Sequence, residues 1–370
     1  MTTDALPFPY AVTGSAVELS DPVPIAAWAE QAKIPHRKHP GTTLDGAQIE
    51  GMLGVRSKSW DRERFAGLGA VSDTAREVLA ATAAAPADLD AVFVVTCSPH
   101  QVMMDQDAFT LMRTLGIPDH IPPLQLGAGC AGVARAAALL ARSKADRALI
   151  LAYNLASTHT TDAEGQVRPH YLHNDRHPYG AGLWSSPALF SDAAAAMVLE
   201  RDENADGVLI YSRDSQHFGD GPGLSDPLVH YPGGGAGIPP GDEAAADMSC
   251  YGMNAKDIRP YYTKAMTLNH HDLEHARPGY LDQVRRLYTH QANPALVATF
   301  HDWLGLGPDK APSNAARLGN TVSPSTIALL QEDCANSAVE DGDLVCFSVV
   351  GSGPERGAFL APVRLSAPAR

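Results

Sequence analysis

Apolar residues along this chain fall into short continuous runs separated by stretches in which they recur every three or four positions. The continuous runs of the first part cover residues 91–96, 148–153 and 194–199, and the helix-like stretches cover 72–83, 108–115 and 133–143. The pattern restarts with a strand-like run at 207–211 and ends with a helix-like stretch at 324–335 and strand-like runs at 344–350 and 358–363. This alternation predicts an α/β protein with two similar halves, residues 1–204 and 205–370.

Two polar segments rich in glycine and proline interrupt the alternation, at residues 157–186 and 214–249. Both exceed the usual length of a connection in a compact domain. Segments of this size form lids or pocket walls, or else they are disordered. The sequence alone leaves these alternatives open.

Composition narrows the class of protein. With 45% hydrophobic residues, a chain of 370 residues can build a large core. No run of about 18 apolar residues occurs, which argues against a membrane span, and the N-terminus lacks a secretion signal, so we expect a cytoplasmic protein. The net charge of −14 argues against nucleic-acid binding, because contact with phosphates needs a basic face.

Cofactor and metal motifs are missing. The five cysteines are scattered without a Cys-x-x-Cys pair, so neither a disulfide framework nor a zinc site is predicted. Four histidines at positions 159, 170, 173 and 177 have no acidic or thiol ligands at a familiar spacing, and we expect them to be solvated loop residues. Neither a Walker sequence nor a Gly-x-Gly-x-x-Gly fingerprint after a strand occurs, so we expect no bound cofactor.

Cys130 lies between small residues where a strand-like stretch meets the helix-like stretch 133–143. A cysteine in the first turn of a helix faces unpaired backbone N–H groups and the positive end of the helix dipole, which lower the pKa of a thiol. The position therefore predicts a nucleophile, against the alternative of a small buried cysteine that only packs.

A histidine and an asparagine stand at two similar junctions. His290 ends a short apolar stretch, and Pro294 suits the first position of a following helix. Asn320 follows Gly319 in a turn-like pair before another helical stretch. Side chains at such junctions can converge on a cleft, although a structural histidine and a simple turn remain the alternatives for each residue taken alone.

Together the motifs resemble the signature of β-ketoacyl-acyl-carrier-protein synthase III and its thiolase-fold relatives. The three central motifs are, in chain order, Gly129-Cys130-Ala131-Gly132, His290-Gln291-Ala292-Asn293 and Gly319-Asn320-Thr321. Further similar segments are Gly54-Val55-Arg56, Leu189-Phe190-Ser191-Asp192-Ala193 and Gly351-Ser352-Gly353. The resemblance covers nearly the whole chain and implies a thiolase-like, five-layered αβαβα fold with the cysteine in one half and the histidine and asparagine in the other.

The resemblance also implies an acyltransferase (EC 2.3.1) whose Cys130 thiolate attacks an acyl thioester to form acyl-S-Cys130. The backbone N–H groups of Cys130 and Ser352 are the expected oxyanion donors. His290 and Asn320 would then donate hydrogen bonds to the carbonyl of a malonyl-type thioester and stabilise the enolate left by loss of carbon dioxide. Decarboxylative Claisen condensation is the function that this trio favours.

Departures from the family pattern keep other functions open. Gln48 and Met52 occupy the positions where housekeeping members carry a tryptophan and an arginine for coenzyme A, and Ala295 replaces an arginine that helps dock the carrier protein. These changes favour a specialised, polyketide-like pathway. Because His290 can also deprotonate an alcohol or amine, transfer of the acyl group to oxygen or nitrogen is the alternative function. A non-catalytic relative is a third hypothesis.

Partners follow from the same resemblance. The substrates would be acyl thioesters of coenzyme A or acyl carrier protein, and the chain would form a homodimer in which Met104 gates the acyl pocket of the partner subunit. Lys256, Arg259 and Lys264 lie in a basic stretch before the His290 motif and would bind the carrier, with a solvated charged face as the alternative.

Overall fold

The computed structural model describes residues 4–213 and 228–365. The strands in chain order are β1 Leu6–Phe8, β2 Tyr10–Glu18, β3 Pro22–Pro24, β4 Ser57–Ser59, β5 Ala91–Thr96, β6 Leu124–Gly127, β7 Arg147–Asn154, β8 Ala193–Arg201, β9 Gly207–Ser212, β10 Val229–His230, β11 Gly252–Met253, β12 Arg286–Thr289, β13 Leu344–Gly351 and β14 Glu355–Pro362.

The α-helices are α1 Ile25–Ala32, α2 Gly46–Leu53, α3 Gly69–Ala81, α4 Gln106–Leu115, α5 Gly132–Leu140, α6 Ala156–Thr160, α7 Pro169–Leu172, α8 Ser185–Leu189, α9 Ala245–Met248, α10 Ala255–Ala276, α11 Tyr280–Gln283, α12 Pro294–Leu304, α13 Ala315–Leu318 and α14 Ser325–Ala335. Short 3₁₀ turns cover Pro86–Asp88 and Gly180–Gly182.

Ten of these strands form two five-stranded mixed sheets. The first has the order β2-β8-β7-β5-β6 and the second the order β1-β9-β14-β13-β12. In the first sheet β2, β8 and β7 are antiparallel neighbours and β7 pairs parallel with β5. In the second sheet β9, β14 and β13 are antiparallel neighbours and β13 pairs parallel with β12. Four strands of each sheet thus share one order and orientation, as two similar halves require.

Helices on both sides of each sheet complete five layers. Helix α5 contacts strands of both sheets, and α14 contacts β2 and β12, so these two helices form the central layer. Helices α3 and α4 cover the outer face of the first sheet, and α10 covers the outer face of the second sheet and contacts α12. The strands are consequently buried on both faces and read as continuous apolar runs, which is why β5, β7, β8, β9 and β13 were predictable from sequence.

The division into residues 1–204 and 205–370 stays a prediction. The first sheet is built from strands between residues 10 and 201. The second sheet uses strands after residue 206 together with β1, which pairs antiparallel with β9. The N-terminal strand therefore lies in the sheet of the other half.

The segment 157–186 is folded as short helices that pack against the rest of the protein. Tyr171 and Leu183 share an apolar cluster with Trp28 and Ile49 of helices α1 and α2. Within the second long segment, residues 214–227 lie outside the described part of the chain, and the remainder contains β10 and α9. The first segment forms the wall of a pocket, one of the alternatives that the sequence left open.

The loop histidines are not all solvated, as we had expected. His177 is 3% exposed, and the His159 ring packs 5.3 Å from Tyr231 and 5.0 Å from Tyr251, between ring centroids. Burial lowers the pKa of His159 to about 4, so this side chain is neutral at physiological pH. The prediction was wrong for these two residues because the segment packs against aromatic side chains and backbone from residues 231–252, which are distant in sequence.

Candidate active site

Cys130 lies in the turn between β6 and α5, pressed against the first sheet. Gly132, at the start of α5, has no room for a side chain, since a Cβ there would come 2.2 Å from Cγ1 of Val95. The carbonyl oxygen of Gly129 accepts hydrogen bonds from the Gly132 N–H at 2.9 Å and from the Ser323 hydroxyl at 2.6 Å. The backbone on both sides of Cys130 is therefore held in place.

His290 follows β12 directly and is 3% exposed. Its N–H donates to the Ser348 carbonyl at 2.9 Å, and the Tyr262 hydroxyl donates to its carbonyl at 3.0 Å. The imidazole Nδ1 lies 3.3 Å from the Ser325 hydroxyl, which leaves Nε2 for the active site. Burial lowers the pKa of His290 to about 3, so the imidazole is neutral near pH 7.

Asn320 is held on its backbone and on its side chain. Its N–H donates to the Leu189 carbonyl at 2.9 Å, which ties it to the end of α8. The Asn320 Oδ1 accepts from the Val322 N–H at 2.8 Å, and its Nδ2 donates to the Ala292 carbonyl at 3.1 Å. With its oxygen occupied, the amide is oriented to offer an N–H as a donor. Val322 has a φ of 62°, an unusual value for a β-branched residue, and this conformation aims its N–H at Asn320.

Cys130, His290 and Asn320 line one cavity of about 670 Å³, together with Ser352. The Asn320 amide also contributes a hydrogen bond to the Cys130 thiol. Most of the wall is apolar, and its larger side chains include Leu53, Leu189, Phe190, Tyr251, Ile258 and Leu296. The three residues that the sequence predicted from separate motifs thus face one space large enough for a small thioester substrate.

The thiol of Cys130 is less acidic than its place before a helix suggested. Burial raises the pKa of this thiol well above its usual range, and nearby Cys97 and Glu355 add to the increase. The expectation of a lowered pKa was wrong, because desolvation of a thiolate in this apolar site outweighs the helix N-terminus. A neutral thiol beside a neutral imidazole can react when the imidazole accepts the proton during attack.

Of the other residues predicted to belong to the site, two line the cavity and three do not. Ser352 and Arg259 line the cavity. Lys256 lies exposed on the same helix as Arg259, whereas Lys264 is partly buried and lies outside the lining. Met104 is 75% exposed and does not line the cavity of its own chain. That position is compatible with a gate to a partner subunit, which stays a prediction.

Sequence reasoning missed most residues of the cavity wall, and two of them, Cys97 and Tyr251, lie at the end of β5 in the first sheet or contact it. Cys97, which ends the β5 region, lines the cavity with Cys130, and burial raises the pKa of Cys97 to about 12. Tyr251 lies on the wall and donates its hydroxyl hydrogen bond to the Cys97 carbonyl. Cys97 directly follows an apolar strand, a position that could have drawn attention to it, but nothing in the sequence pointed to Tyr251.

Metal and membrane features were searched over residues 4–213 and 228–365. No group of three or more histidine, cysteine, aspartate or glutamate side chains in that part of the chain is arranged to hold a metal ion. None of its helices is both long and apolar enough to cross a membrane.

Known proteins with related sequences point to one enzyme family. Residues 277–362 match the model of the 3-oxoacyl-[acyl-carrier-protein (ACP)] synthase III C-terminal region. The chain is 27% identical over 290 residues to the β-ketoacyl-[acyl-carrier-protein] synthase III of Symbiobacterium thermophilum, an alignment that covers 77% of this chain and 80% of that protein. The alignment with the Solibacter usitatus synthase III, also 27% identical, covers 46% of this chain and 51% of that protein.

A solved synthase III structure has the same fold as this chain. The 3-oxoacyl-(acyl carrier protein) synthase III of Pseudomonas aeruginosa PAO1 superposes with a TM-score of 0.72 at 20% identity, covering 97% of this chain and 100% of that one. The thiolase-like α/β fold predicted from the motifs is confirmed. The resemblance to synthase III is confirmed as well, by the match of residues 277–362 and by the related sequences.

Proposed function

We propose that this synthase III-like acyltransferase transfers an acyl group from a thioester to Cys130 and then condenses it with a malonyl-type thioester, with loss of carbon dioxide. The observation that carries this proposal is the shared cavity of Cys130, His290 and Asn320, in which the asparagine amide is oriented as a donor. An amide in this orientation can stabilise an enolate but cannot act as a general base.

In the first half-reaction the Cys130 sulfur attacks the thioester carbonyl. His290 accepts the thiol proton through Nε2 and returns it to the departing thiol, so a thioester bond breaks as the acyl-S-Cys130 bond forms. The negative charge on the tetrahedral intermediate needs donors, and the residues whose backbone N–H groups are assigned this role, Cys130 and Ser352, line the same cavity.

In the second half-reaction a malonyl-type thioester binds with its carbonyl toward His290 and Asn320. Cleavage of its carbon–carbon bond releases carbon dioxide and leaves the electron pair as an enolate. For this step the neutral imidazole carries its proton on Nε2, after exchange with solvent, while Nδ1 accepts from the Ser325 hydroxyl. The enolate oxygen then accepts hydrogen bonds from Nε2 of His290 and Nδ2 of Asn320. The enolate carbon attacks acyl-S-Cys130 and displaces the cysteine sulfur. The product is a 3-oxoacyl thioester, and the displaced Cys130 thiolate takes up a proton from solvent, the one proton that the overall condensation consumes.

Transfer to a hydroxyl or amine is the second candidate function. The mouth of the cavity supports it, because Met52, Leu53, Ala295 and Leu296 present apolar or small side chains there. Arg259 is the cationic residue of the lining within the described part of the chain, so the site offers few partners for the phosphates of coenzyme A. The neutral His290 could then deprotonate a small-molecule acceptor. The same apolar and small side chains, which at Met52 and Ala295 differ from those of housekeeping synthases, also support a role in a specialised, polyketide-like pathway.

Substrate delivery and assembly complete the proposal. Arg259 at the cavity and exposed Lys256 on the same helix form a small basic surface suited to an acidic acyl carrier protein. Strand β6 lies at the edge of the first sheet, next to the exposed apolar side chains of Val102, Met103 and Met104. Pairing of β6 with the same strand of a second copy would cover this edge and bring Met104 to the partner, as a homodimer requires.

Mass spectrometry of the intact protein tests the proposal. Wild type and Cys130→Ala are incubated with a panel of acyl and malonyl thioesters, on coenzyme A and on acyl carrier protein, while carbon dioxide release is followed. We expect an acyl adduct in the wild type that is absent from Cys130→Ala, and malonyl-dependent carbon dioxide release. A stable adduct without that release would favour the oxygen or nitrogen acceptor, and no adduct from any donor would overturn both functions.

A further inference from the structure

A buried carboxylate stands directly behind the turn that carries Ser352. Glu355 begins β14 and is 2% exposed. Its two oxygens accept a bidentate pair of hydrogen bonds from Arg135, Nε to Oε2 at 2.9 Å and Nη2 to Oε1 at 2.6 Å. The Tyr211 hydroxyl donates a third hydrogen bond to Oε2 at 2.6 Å. These three hydrogen bonds supply the partners that a buried carboxylate requires to offset its lost hydration.

Arg135 connects this carboxylate to the nucleophile. The arginine lies on α5, the helix that begins just after Cys130, and its Nη1 also lies 3.4 Å from the Gly127 carbonyl at the end of β6. One guanidinium therefore contacts the chain before Cys130 and the carboxylate after Ser352.

The two backbone segments that Arg135 joins are in direct contact. A Cβ added to Gly351 would lie 2.7 Å from the Ala131 nitrogen, so the end of β13 packs on the backbone beside Cys130. The Ser352 side chain is held from the other side, since its hydroxyl accepts from the Val229 N–H at 3.0 Å. The separation of the Cys130 and Ser352 N–H groups is thus set where these segments meet.

We propose that the Arg135–Glu355 ion pair is a positioning device, which fixes the glycine turn 351–353 against the start of α5 so that the Cys130 and Ser352 N–H groups converge on one oxyanion. The inference rests on the proposed function, because it assigns the pair a role in forming acyl-S-Cys130. Neither residue touches the substrate, so their effect on catalysis passes through the backbone of the turn.

The negative charge of Glu355 provides a second way to test the positioning role, through the pKa of the Cys130 thiol. Burial makes the largest contribution to the raised pKa of Cys130, and the Glu355 carboxylate and Cys97 raise the pKa further. Among the described residues, His290, which is neutral, and the Tyr262 hydroxyl also line the cavity with the thiol. Replacing the carboxylate with an amide therefore changes the charge near Cys130 while leaving these groups in place.

The chain offers a matched control one residue away. Arg356 follows Glu355 on β14 and points to the opposite face of the sheet, where its Nη2 lies 2.9 Å from Oδ2 of Asp272 on α10. The side chains of this second pair are 4% and 3% exposed. Asp272→Asn thus disrupts an equally buried ion pair on the side of the sheet away from Cys130.

The test compares Glu355→Gln with Asp272→Asn in two assays, the rate of acyl-enzyme formation and the pH dependence of Cys130 alkylation by iodoacetamide. For Glu355→Gln we expect kcat for acylation to fall about 10- to 100-fold with KM nearly unchanged, because an oxyanion donor is misplaced. The alkylation profile should move to lower pH, since a negative charge near the thiol is lost. Asp272→Asn should change neither kcat for acylation nor the pH dependence of Cys130 alkylation, even if it lowers the melting temperature.

Tyr211→Phe extends the test if Glu355→Gln does not fold. It removes a hydroxyl from the same carboxylate but keeps the ion pair, and we expect a smaller fall in kcat in the same direction. Wild-type kcat and an unmoved alkylation profile in the Glu355 variant would overturn the positioning role, as would equal losses in Asp272→Asn. A wild type that forms no adduct would instead overturn the proposed function, while the alkylation profiles would still report on the ion pair.

Discussion

The orientation of the Asn320 amide predicts the outcome of replacing it with a carboxylate. In Asn320→Asp the oxygen that accepts from Val322 is kept, but the Nδ2 that donates to Ala292 and toward Cys130 becomes a second oxygen. That oxygen would face the Ala292 carbonyl across the present 3.1 Å, where two acceptors repel. The variant therefore loses one of the two proposed donors to the enolate and keeps Nε2 of His290 alone, and it gains a negative charge where negative charge must develop.

The expected loss of decarboxylation rate in Asn320→Asp follows from the number of hydrogen-bond donors removed. Removal of one preorganised donor to a developing oxyanion costs about 10²- to 10³-fold in rate, or about 3–4 kcal/mol. We expect at least this loss in malonyl decarboxylation, and a cost of about 1–3 kcal/mol in stability for the unsatisfied Ala292 carbonyl. Formation of acyl-S-Cys130 should change much less, because its oxyanion is assigned to the backbone N–H groups of Cys130 and Ser352.

Release of labelled carbon dioxide from a malonyl thioester measures the decarboxylation rate, and intact-protein mass spectrometry measures the formation of acyl-S-Cys130. Asn293→Asp is the matched control. Asn293 lines the same cavity, its Oδ1 accepts from the N–H groups that begin α12, and its Nδ2 donates to the Leu53 carbonyl at 2.8 Å. The change therefore also sets a carboxylate oxygen against a carbonyl, but at a residue that is not assigned to the enolate. We expect this control to decarboxylate at close to the wild-type rate. Wild-type decarboxylation by Asn320→Asp, or an equal loss in both variants, would refute the reasoning.

Three further predictions concern stability and assembly. Burial lowers the pKa of His270 to about 3 and of His301 to about 4, so the folded protein holds both side chains neutral. Below the unfolded pKa of about 6.5 the unfolded chain binds protons that the folded protein does not, so each histidine lowers the free energy of unfolding by up to about 1.4 kcal/mol per pH unit. Urea unfolding midpoints should therefore be lower at pH 5.5 than at pH 7.5. Gly351→Ala should cost about 1–3 kcal/mol and slow acylation, because the new Cβ meets the Ala131 backbone; an unchanged melting temperature would contradict the close packing. Met104→Glu should turn a dimeric wild type into a monomer in light scattering, and a persistent dimer would place the interface elsewhere.

Much of the fold could be predicted because buried strands leave an unambiguous apolar pattern. Strand β5 was predicted to the residue, and β7 and β8 to within two residues at each end. The segment 157–186 could not be predicted as short helices, since glycine, proline and histidine are frequent there and the apolar residues that anchor it, such as Tyr171, are isolated in the sequence. Tertiary packing decides the structure of such a segment.

The candidate site was predictable through its motifs and not through its contacts. Cys130, His290 and Asn320 were found because each begins or ends a regular element, and the resemblance supplied their order. The Arg135–Glu355 pair joins residues 220 positions apart, and no local pattern links them. The pKa of Cys130 was predicted in the wrong direction, because the sequence shows the helix that follows the thiol but not the apolar wall around it.

Strand β1 bears on the order in which the molecule can be assembled. Leu6 pairs with Leu209, and Phe8 packs with its ring centroid 5.1 Å from that of Phe359 near the end of the chain. Closing so long a loop is slow compared with the formation of local helices, and it cannot occur during synthesis until β9 and β14 have been made. Strand β1, although made before β9 and β14, is thus among the last of these strands to find its neighbours, and a ribosome-bound chain would hold an unfinished second sheet until β14 has been made.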